Sequence, residues 1–366
     1  MISSDLLYQI ALTQVNGIGP VQSKILIEHF ITAENIFKAK KKELSAIEGI
    51  GEIKANQIKH FIDFKEAEAE IKFIEKNSIQ PLFIADEAYP KKLLHCYDAP
   101  TLLYFKGNGN LNNSKSLSII GTRSSTDYGK KITEQFIEEL KEYQVTIYSG
   151  LAFGIDAIAH KAAMKNNLET IGVLAHGLIS IYPQQHKSLA KEMIENGGLL
   201  TEFQKTVKAD KHNFPRRNRI VAGVSDATIV IETDVKGGSM ITAELAFNYN
   251  KDVFAIPGRI TDSKSKGCLK LIHQNKAVLL SDIQQLVENL GWGEKTKPSK
   301  KQRELFIDLS QDEKIIIDIL KQKETISIDE IFLQANLSSS SIAAAILNLE
   351  LQNVINSLPG KMYQLS

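Results

Sequence analysis

The chain has 366 residues, 43% of them hydrophobic, with 44 Lys and Arg against 43 Asp and Glu. A formal net charge of +1 excludes a protein that binds polyanions through bulk charge, so any anion site must be a local patch. The length points to two or three domains, and the two cysteines, Cys96 and Cys268, form no CxxC pair, which excludes a disulfide framework or a cysteine zinc site and fits a reducing cytoplasm.

The amino-terminal apolar stretch has no basic flank and is interrupted by Asp5. No segment reaches the roughly 20 apolar residues of a membrane span, so a cytosolic protein is expected. Residues 1–78 read as helical and contain a weak repeat. Gly17-Ile18-Gly19 precedes the apolar-periodic Val21 to Phe30, and Gly49-Ile50-Gly51 precedes Ile53 to Phe64. Glycine permits a tight turn that leaves N–H groups exposed at a helix start. Two readings fit: a helix-hairpin-helix element that grips a nucleic-acid backbone, or a plain helical hairpin.

Residues 79–290 alternate strands with helices. Apolar, β-branched runs at Leu117–Ile120, Val145–Tyr148, Thr170–Leu174, Ala227–Ile231 and Asp252–Ile256 are separated by helical patterns such as Tyr128–Tyr143 and Thr242–Asn250. The predicted class is α/β, with a Rossmann-like, mostly parallel, doubly wound sheet. Two apolar stretches within residues 81–105 extend that sheet. Residues 291–311 have linker composition around Gly291, Gly293 and Pro298. Lys295, Lys297, Lys300, Lys301 and Arg303 there form either a solvated linker or a polyanion patch. From 312 to 366, three helical patterns and a short hairpin around Gly360 describe a winged helix. Its third helix carries no Lys or Arg between Ser338 and Asn353, which favours protein contact or regulation over duplex reading.

Ligands on such sheets bind beyond the carboxyl ends of the strands, and the chemistry-bearing residues gather there. The first strand ends at Gly121-Thr122-Arg123. The second ends at Ser149-Gly150 and runs on through Gly154 to Asp156 and His160. Asp156 and His160 share a helix face and read as a hydrogen-bonded pair that orients a loop rather than as metal ligands. Tyr182-Pro183 and Lys187 follow, then Gly197–Glu202 and the run Phe214-Pro215-Arg216-Arg217-Asn218-Arg219. Three arginines in four positions are costly to bury unpaired, and their planar forks suit phosphate. After the Ala227–Ile231 run, Gly237-Gly238-Ser239 opens a helix, with Ser239 the expected N-cap. The glycine turns offer N–H groups to an anion, and they also serve tight packing.

Taken in order, these motifs, together with the Gly-Ser-x-x-Thr-Ala turn at 238–243 and Pro257-Gly258, closely resemble the DNA processing protein A (DprA, also Smf) family over residues 80 to 290. The resemblance implies a protein that binds and protects single-stranded DNA, pairs with itself through the Rossmann-like domain, and helps load the RecA recombinase in natural transformation. By position, Arg123 matches the family's arginine at the DNA crevice, and Arg217 and Arg219 match its R-N-R motif. Three positions depart from the pattern: Gln184 follows Tyr-Pro where a basic residue is usual, Leu269 replaces an Asn, and Lys276 replaces a Gly. Lys187 stands in for the first. Leu269 either strengthens an apolar interface or packs inside.

The site expected from these readings comprises Gly121, Thr122, Arg123, Ser149, Gly150, Lys187, Phe214, Arg216, Arg217, Asn218, Arg219, Gly238 and Ser239. It binds without catalysis and needs no cofactor or metal. Arg217 and Arg219 are the expected phosphate contacts, and Arg216 the solvent-facing member. Phe153, Tyr182 or Phe214 either stack on bases or pack in the core. The alternative is a nucleotide phosphoribohydrolase of the lysine-decarboxylase-like group, whose paired glycines recur here without the third.

Overall fold

The computed structural model describes residues 5–293 and 310–365, apart from 322, 324, 353 and 359–361. Lys295, Lys297, Lys300, Lys301, Arg303, Pro298 and Gly360 lie outside the described residues. The chain divides into two compact units, one up to Gly293 and one from residue 294 onward. Among the described residues, no helix is long and apolar enough to cross a membrane.

The first unit opens with six helices: α1 (Leu6–Gln14), α2 (Pro20–Phe30), α3 (Ala33–Lys38), α4 (Lys41–Ser45), α5 (Gly51–Lys59) and α6 (Lys65–Lys76). The two Gly-Ile-Gly turns precede α2 and α5. Gly49 and Gly51 take φ values of +84° and +64°, a region that strains any side chain. Between the glycines, Ile18 and Ile50 point into the core. That core is shared with the sheet: Leu12, Leu26 and Ile58 belong to the same apolar cluster as Leu82, Leu103 and Phe105. The first compact unit therefore holds both the helical region and the sheet.

The sheet follows in chain order: β1 (Gln80–Phe83), β2 (Leu102–Gly107), β3 (Ser116–Ile120), α7 (Asp127–Glu139), β4 (Thr146–Ser149), α8 (Ile155–Lys165), β5 (Thr170–Val173), α9 (Lys187–Glu195) and β6 (Gly197–Thr201). It continues with α10 (Asn213–Gly223), β7 (Ala227–Val230), α11 (Gly238–Asn248), β8 (Asp252–Ala255), α12 (Lys266–His273), β9 (Val278–Leu279) and α13 (Ile283–Asn289). The nine strands lie in the order β1-β2-β6-β5-β4-β3-β7-β8-β9. All pairings from β6 to β9 are parallel, while β2 runs antiparallel to both β1 and β6. Successive strand residues face opposite sides, and both sides are covered. Ile119, Ile147 and Ile229 pack against α7 and α8, while Ile120, Tyr148 and Val230 join the cluster of α10, α11 and the amino-terminal helices.

From β3 the chain steps outward through β4, β5 and β6, then crosses to β7 on the other side of β3. The strand order reverses there, so the crevice above β3 and β7 is where such sheets hold ligands.

The second unit contains α14 (Gln311–Leu320), β10 (Ile326–Ser327), α15 (Ile328–Ala335), α16 (Ser339–Leu351), β11 (Ile355–Leu358) and β12 (Met362–Leu365). The three strands pair in the order β10-β12-β11, and Ile316, Ile331, Ile342 and Leu349 form the core. Ser310, Ser327 and Ser338 cap the three helices through their hydroxyls, which fixes where each begins. This is the predicted winged helix.

Candidate functional site

A cavity of about 790 Å³ opens over the ends of β3 and β7. Its floor is set by glycine. A Cβ on Gly121 would come 2.5 Å from Ile155, and one on Gly154, at φ +76°, would come 2.2 Å from Thr122 O. The segments that follow β3, β4 and β7 are also bonded together. Thr122 N–H donates to Glu232 O at 2.7 Å, and Ile155 N–H donates to Thr122 O at 3.2 Å. The buried Glu232 carboxylate accepts from the Thr126 N–H at 3.0 Å and from the Thr126 hydroxyl. These bonds fix the loop from which Arg123 projects.

Arg123 is exposed, with its guanidinium 5.3 Å from the centre of the Phe214 ring. The Phe214 ring lies 6.0 Å from that of Tyr182, which is 51% exposed. A cation and two aromatic rings thus form a row along one wall. Lys211, Asp210 and Asn218 line the same cavity, and Gly238 faces it with nothing within 4 Å of a Cβ position. Gly238 opens α11, where main-chain N–H groups lack partners within the helix.

Beneath the row lies Arg217, only 6% exposed. Its Nη1 donates to Val173 O at 2.7 Å, and its Nε has no protein partner. Gly150 makes the space, since a Cβ there would fall 2.1 Å from Arg217 Nη1 and 2.4 Å from Asp156 Oδ2. Burial pushes the Asp156 carboxyl above its ordinary range, with the Arg217 charge opposing. Burial lowers the Arg217 pKa, and Asp156 counters it. Arg217 thus lines the cavity with most of its guanidinium buried and, of its buried atoms, only the Nε lacking a protein partner.

His160 holds the Gly150 loop from below, with Nε2 2.6 Å from Gly150 O and Nδ1 2.6 Å from the Thr170 hydroxyl. Burial pushes its pKa down to about 4, so the ring is neutral. Asp156 grips the next turn by accepting the Ala152 N–H at 3.3 Å. The expected Asp156–His160 bond is therefore corrected: each orients the loop, but they bond its main chain and not each other.

Nine of the thirteen expected residues line the cavity: Gly121, Thr122, Arg123, Gly150, Phe214, Arg217, Asn218, Gly238 and Ser239. Four do not. The Ser149 hydroxyl is buried and donates to Ile119 O at 2.6 Å, so it serves the sheet. Lys187 begins α9, exposed but outside the cavity wall. Arg216 and Arg219 leave α10 in other directions, because a helix turns about 100° per residue. Arg219, its side chain 11% exposed, meets Glu202 at 2.5 Å and donates to Asp98 O, so its expected role as a free phosphate contact is corrected. Arg216, its side chain 58% exposed, sits 5.0 Å from the Phe203 ring and 3.6 Å from Glu202. Ser239 does not cap α11. Gly237 holds the N-cap position, and the Ser239 hydroxyl donates to Thr233 Oγ1 at 2.7 Å. Sequence reading missed Thr233 and Asp234, which line the cavity just past β7. The strand-end rule would have found them. Among the described residues, no cluster of His, Cys, Asp and Glu could hold a metal.

The family model described as DNA recombination-mediator protein A matches residues 80–291. The chain belongs to the DprA/Smf family. A SAM-like helix-hairpin-helix tandem matches residues 10–62, and the DprA winged helix domain matches 300–361, so this DprA/Smf chain has all three parts. It is 33% identical to Protein Smf of Synechocystis across 100% of both chains. It is 40% identical to DNA processing protein DprA of Streptococcus pneumoniae over 56% of this chain and 72% of that one. The solved DprA structure from S. pneumoniae matches with a TM-score of 0.67 at 32% identity, covering 78% of this chain and 98% of the other. A second DprA structure, from Helicobacter pylori and described by its single-stranded DNA binding mode, matches with a TM-score of 0.53 at 33% identity, covering 58% and 95%.

Proposed function

We propose that this cytoplasmic protein binds single-stranded DNA in the strand-end crevice, protects it, and passes it to a RecA-type recombinase during natural transformation, without catalysing a reaction. The observation that carries the reading is the row Arg123–Phe214–Tyr182 above the buried Arg217. The exposed Tyr182 ring and the half-buried Phe214 ring offer faces to unpaired bases, and a cation beside them takes the phosphate that follows. A duplex presents its bases stacked and paired, so the row selects single strands. The H. pylori relative's description supports the choice of ligand, and the family description as a recombination mediator supports the choice of recipient.

Absence of catalysis is supported by how the candidate groups are used. The Ser149 and Ser239 hydroxyls donate within the protein, and Asp156 accepts from Ala152. Incubation with AMP is expected to release no adenine. A homodimer fits the edge of the sheet, where β9 exposes Val278 and Leu279 and the preceding α12 carries the half-buried Leu269. Competition gels with labelled single strand against unlabelled single or double strand test the reading. Single strand should displace the label and duplex should not. Equal displacement by duplex would contradict it.

A further inference from the structure

Between β6 and α10 runs the connection 202–212, which brings Ala209, Asp210 and Lys211 to the cavity wall. A surface connection of this kind is mobile unless its backbone is tied down. Here the ties come from the helical region. Lys205 N–H donates to Glu70 Oε1 of α6 at 2.9 Å, and Lys205 Nζ donates to Ala69 O. The same ammonium lies 4.0 Å from Glu70 Oε2 and 5.8 Å from the Phe73 ring centre. Gln204 bonds the Gln14 amide and the Thr13 hydroxyl, each at 3.2 Å.

On its other side the connection is pressed against Gly177. A Cβ there would come 2.1 Å from Gln204 O and 2.6 Å from Lys205 O. Gly177 N–H donates to Val207 O at 2.9 Å. Further along, the Asn213 side chain donates to Lys208 O at 3.1 Å and its N–H to Asp210 O at 3.0 Å. Asn213 is the first residue of α10 and precedes Phe214. Hydrogen bonds thus link α6 to the start of the helix that carries the crevice aromatic.

Glu70 is the anchor of this line. Its side chain is 4% exposed, and carboxylates are seldom buried so far without a task. Burial raises its pKa, and the Lys205 N–H and charge oppose the rise. We infer that Glu70 is a positioning residue for the crevice, holding connection 202–212 so that Lys211 and Phe214 stand where a strand passes. The inference rests on the crevice reading proposed above. It gives the helical region a part in binding that requires no contact with DNA.

The test uses the full chain, a fluorescent oligothymidylate, and amide hydrogen exchange across residues 204–212. Glu70→Ala removes the acceptor and leaves a part-buried N–H unpaired, so affinity should fall about tenfold while exchange in 204–212 quickens and β3, β4 and β5 stay protected. Glu70→Gln keeps an acceptor and should bind within about twofold of the wild type. Gln204→Ala loosens the same connection without touching a buried charge, and should cost about threefold. It carries the test if Glu70→Ala does not fold. Wild-type affinity in the alanine variants overturns the inference, as does a loss without faster exchange in 204–212. Arg123→Ala separates the two claims. If it too binds normally, the crevice reading has failed. If it alone loses binding, only the positioning role has failed.

Discussion

The strand-end crevice and the outward face of α16 differ in what they expose. The crevice presents Arg123, Lys211, Phe214 and Tyr182. The face of α16 presents Ala343, Ala344, Leu347 and Leu351, the leucines 55% and 73% exposed, and no Lys or Arg occurs from Ser338 to Asn353. Winged helices commonly place their third helix in a DNA groove. Affinity for a phosphate chain comes from cations, however, and this helix has none to offer. The contrast teaches that the domain type does not locate the function. The local chemistry does.

The largest effect should come from the face of α10 that turns away from the crevice. Arg219→Ala would leave Glu202, whose side chain is 6% exposed and whose Oε1 already lacks a partner, with only the more distant and more exposed Arg216 at 3.6 Å. Breaking a buried pair costs about 3 kcal/mol, so urea unfolding of the first unit should show a loss of that size. A loss confined to DNA affinity would put Arg219 back in the crevice.

Acid should also separate the two regions. His160 has a folded pKa of about 4 against an ordinary 6.5, so the unfolded chain binds the proton first. Its contribution is fully present above pH 6.5 and is lost as pH falls toward 4, with about 2 kcal/mol gone by roughly pH 5. Asp156, raised by burial, acts in the opposite sense. All eight histidines precede residue 294, so unfolding of the winged helix should change little over the same interval.

A smaller effect is expected at the ligand. Phe214→Ala removes one stacking surface and should weaken single-strand binding by about 1 kcal/mol, read by fluorescence anisotropy. The smallest tests the contrast from the other side. Removing residues 294–366 should leave single-strand affinity within about twofold, because the cations that bind phosphate remain. A large loss would put DNA-binding groups within 294–366, in the winged helix or in the basic segment before it.

Much of the fold was legible because the signals were periodic. The runs that became β3, β4, β5, β7 and β8 are apolar and β-branched. The strand β6 was not legible. Paired glycines carry no strand signal, yet Gly197-Gly198 opens the strand for close packing, since a Cβ on Gly198 would fall 2.4 Å from the Phe105 ring of the neighbouring strand. That reason lies in a residue about ninety positions away. The site was legible where residues follow strands directly, as with Gly121-Thr122-Arg123. It was misread where a side chain's partner is distant. Nothing near Arg219 in sequence announces Asp98, and nothing near Ser149 announces Ile119.

The most direct test of the account is the salt dependence of single-strand affinity in the wild type and in Arg123→Ala. Each phosphate contact contributes about 0.7 to the slope of log affinity against log salt for a single strand. The Arg123→Ala slope should be shallower by about that amount, with affinity lower at every salt concentration. An unchanged slope would mean that Arg123 meets no phosphate and that the strand runs elsewhere.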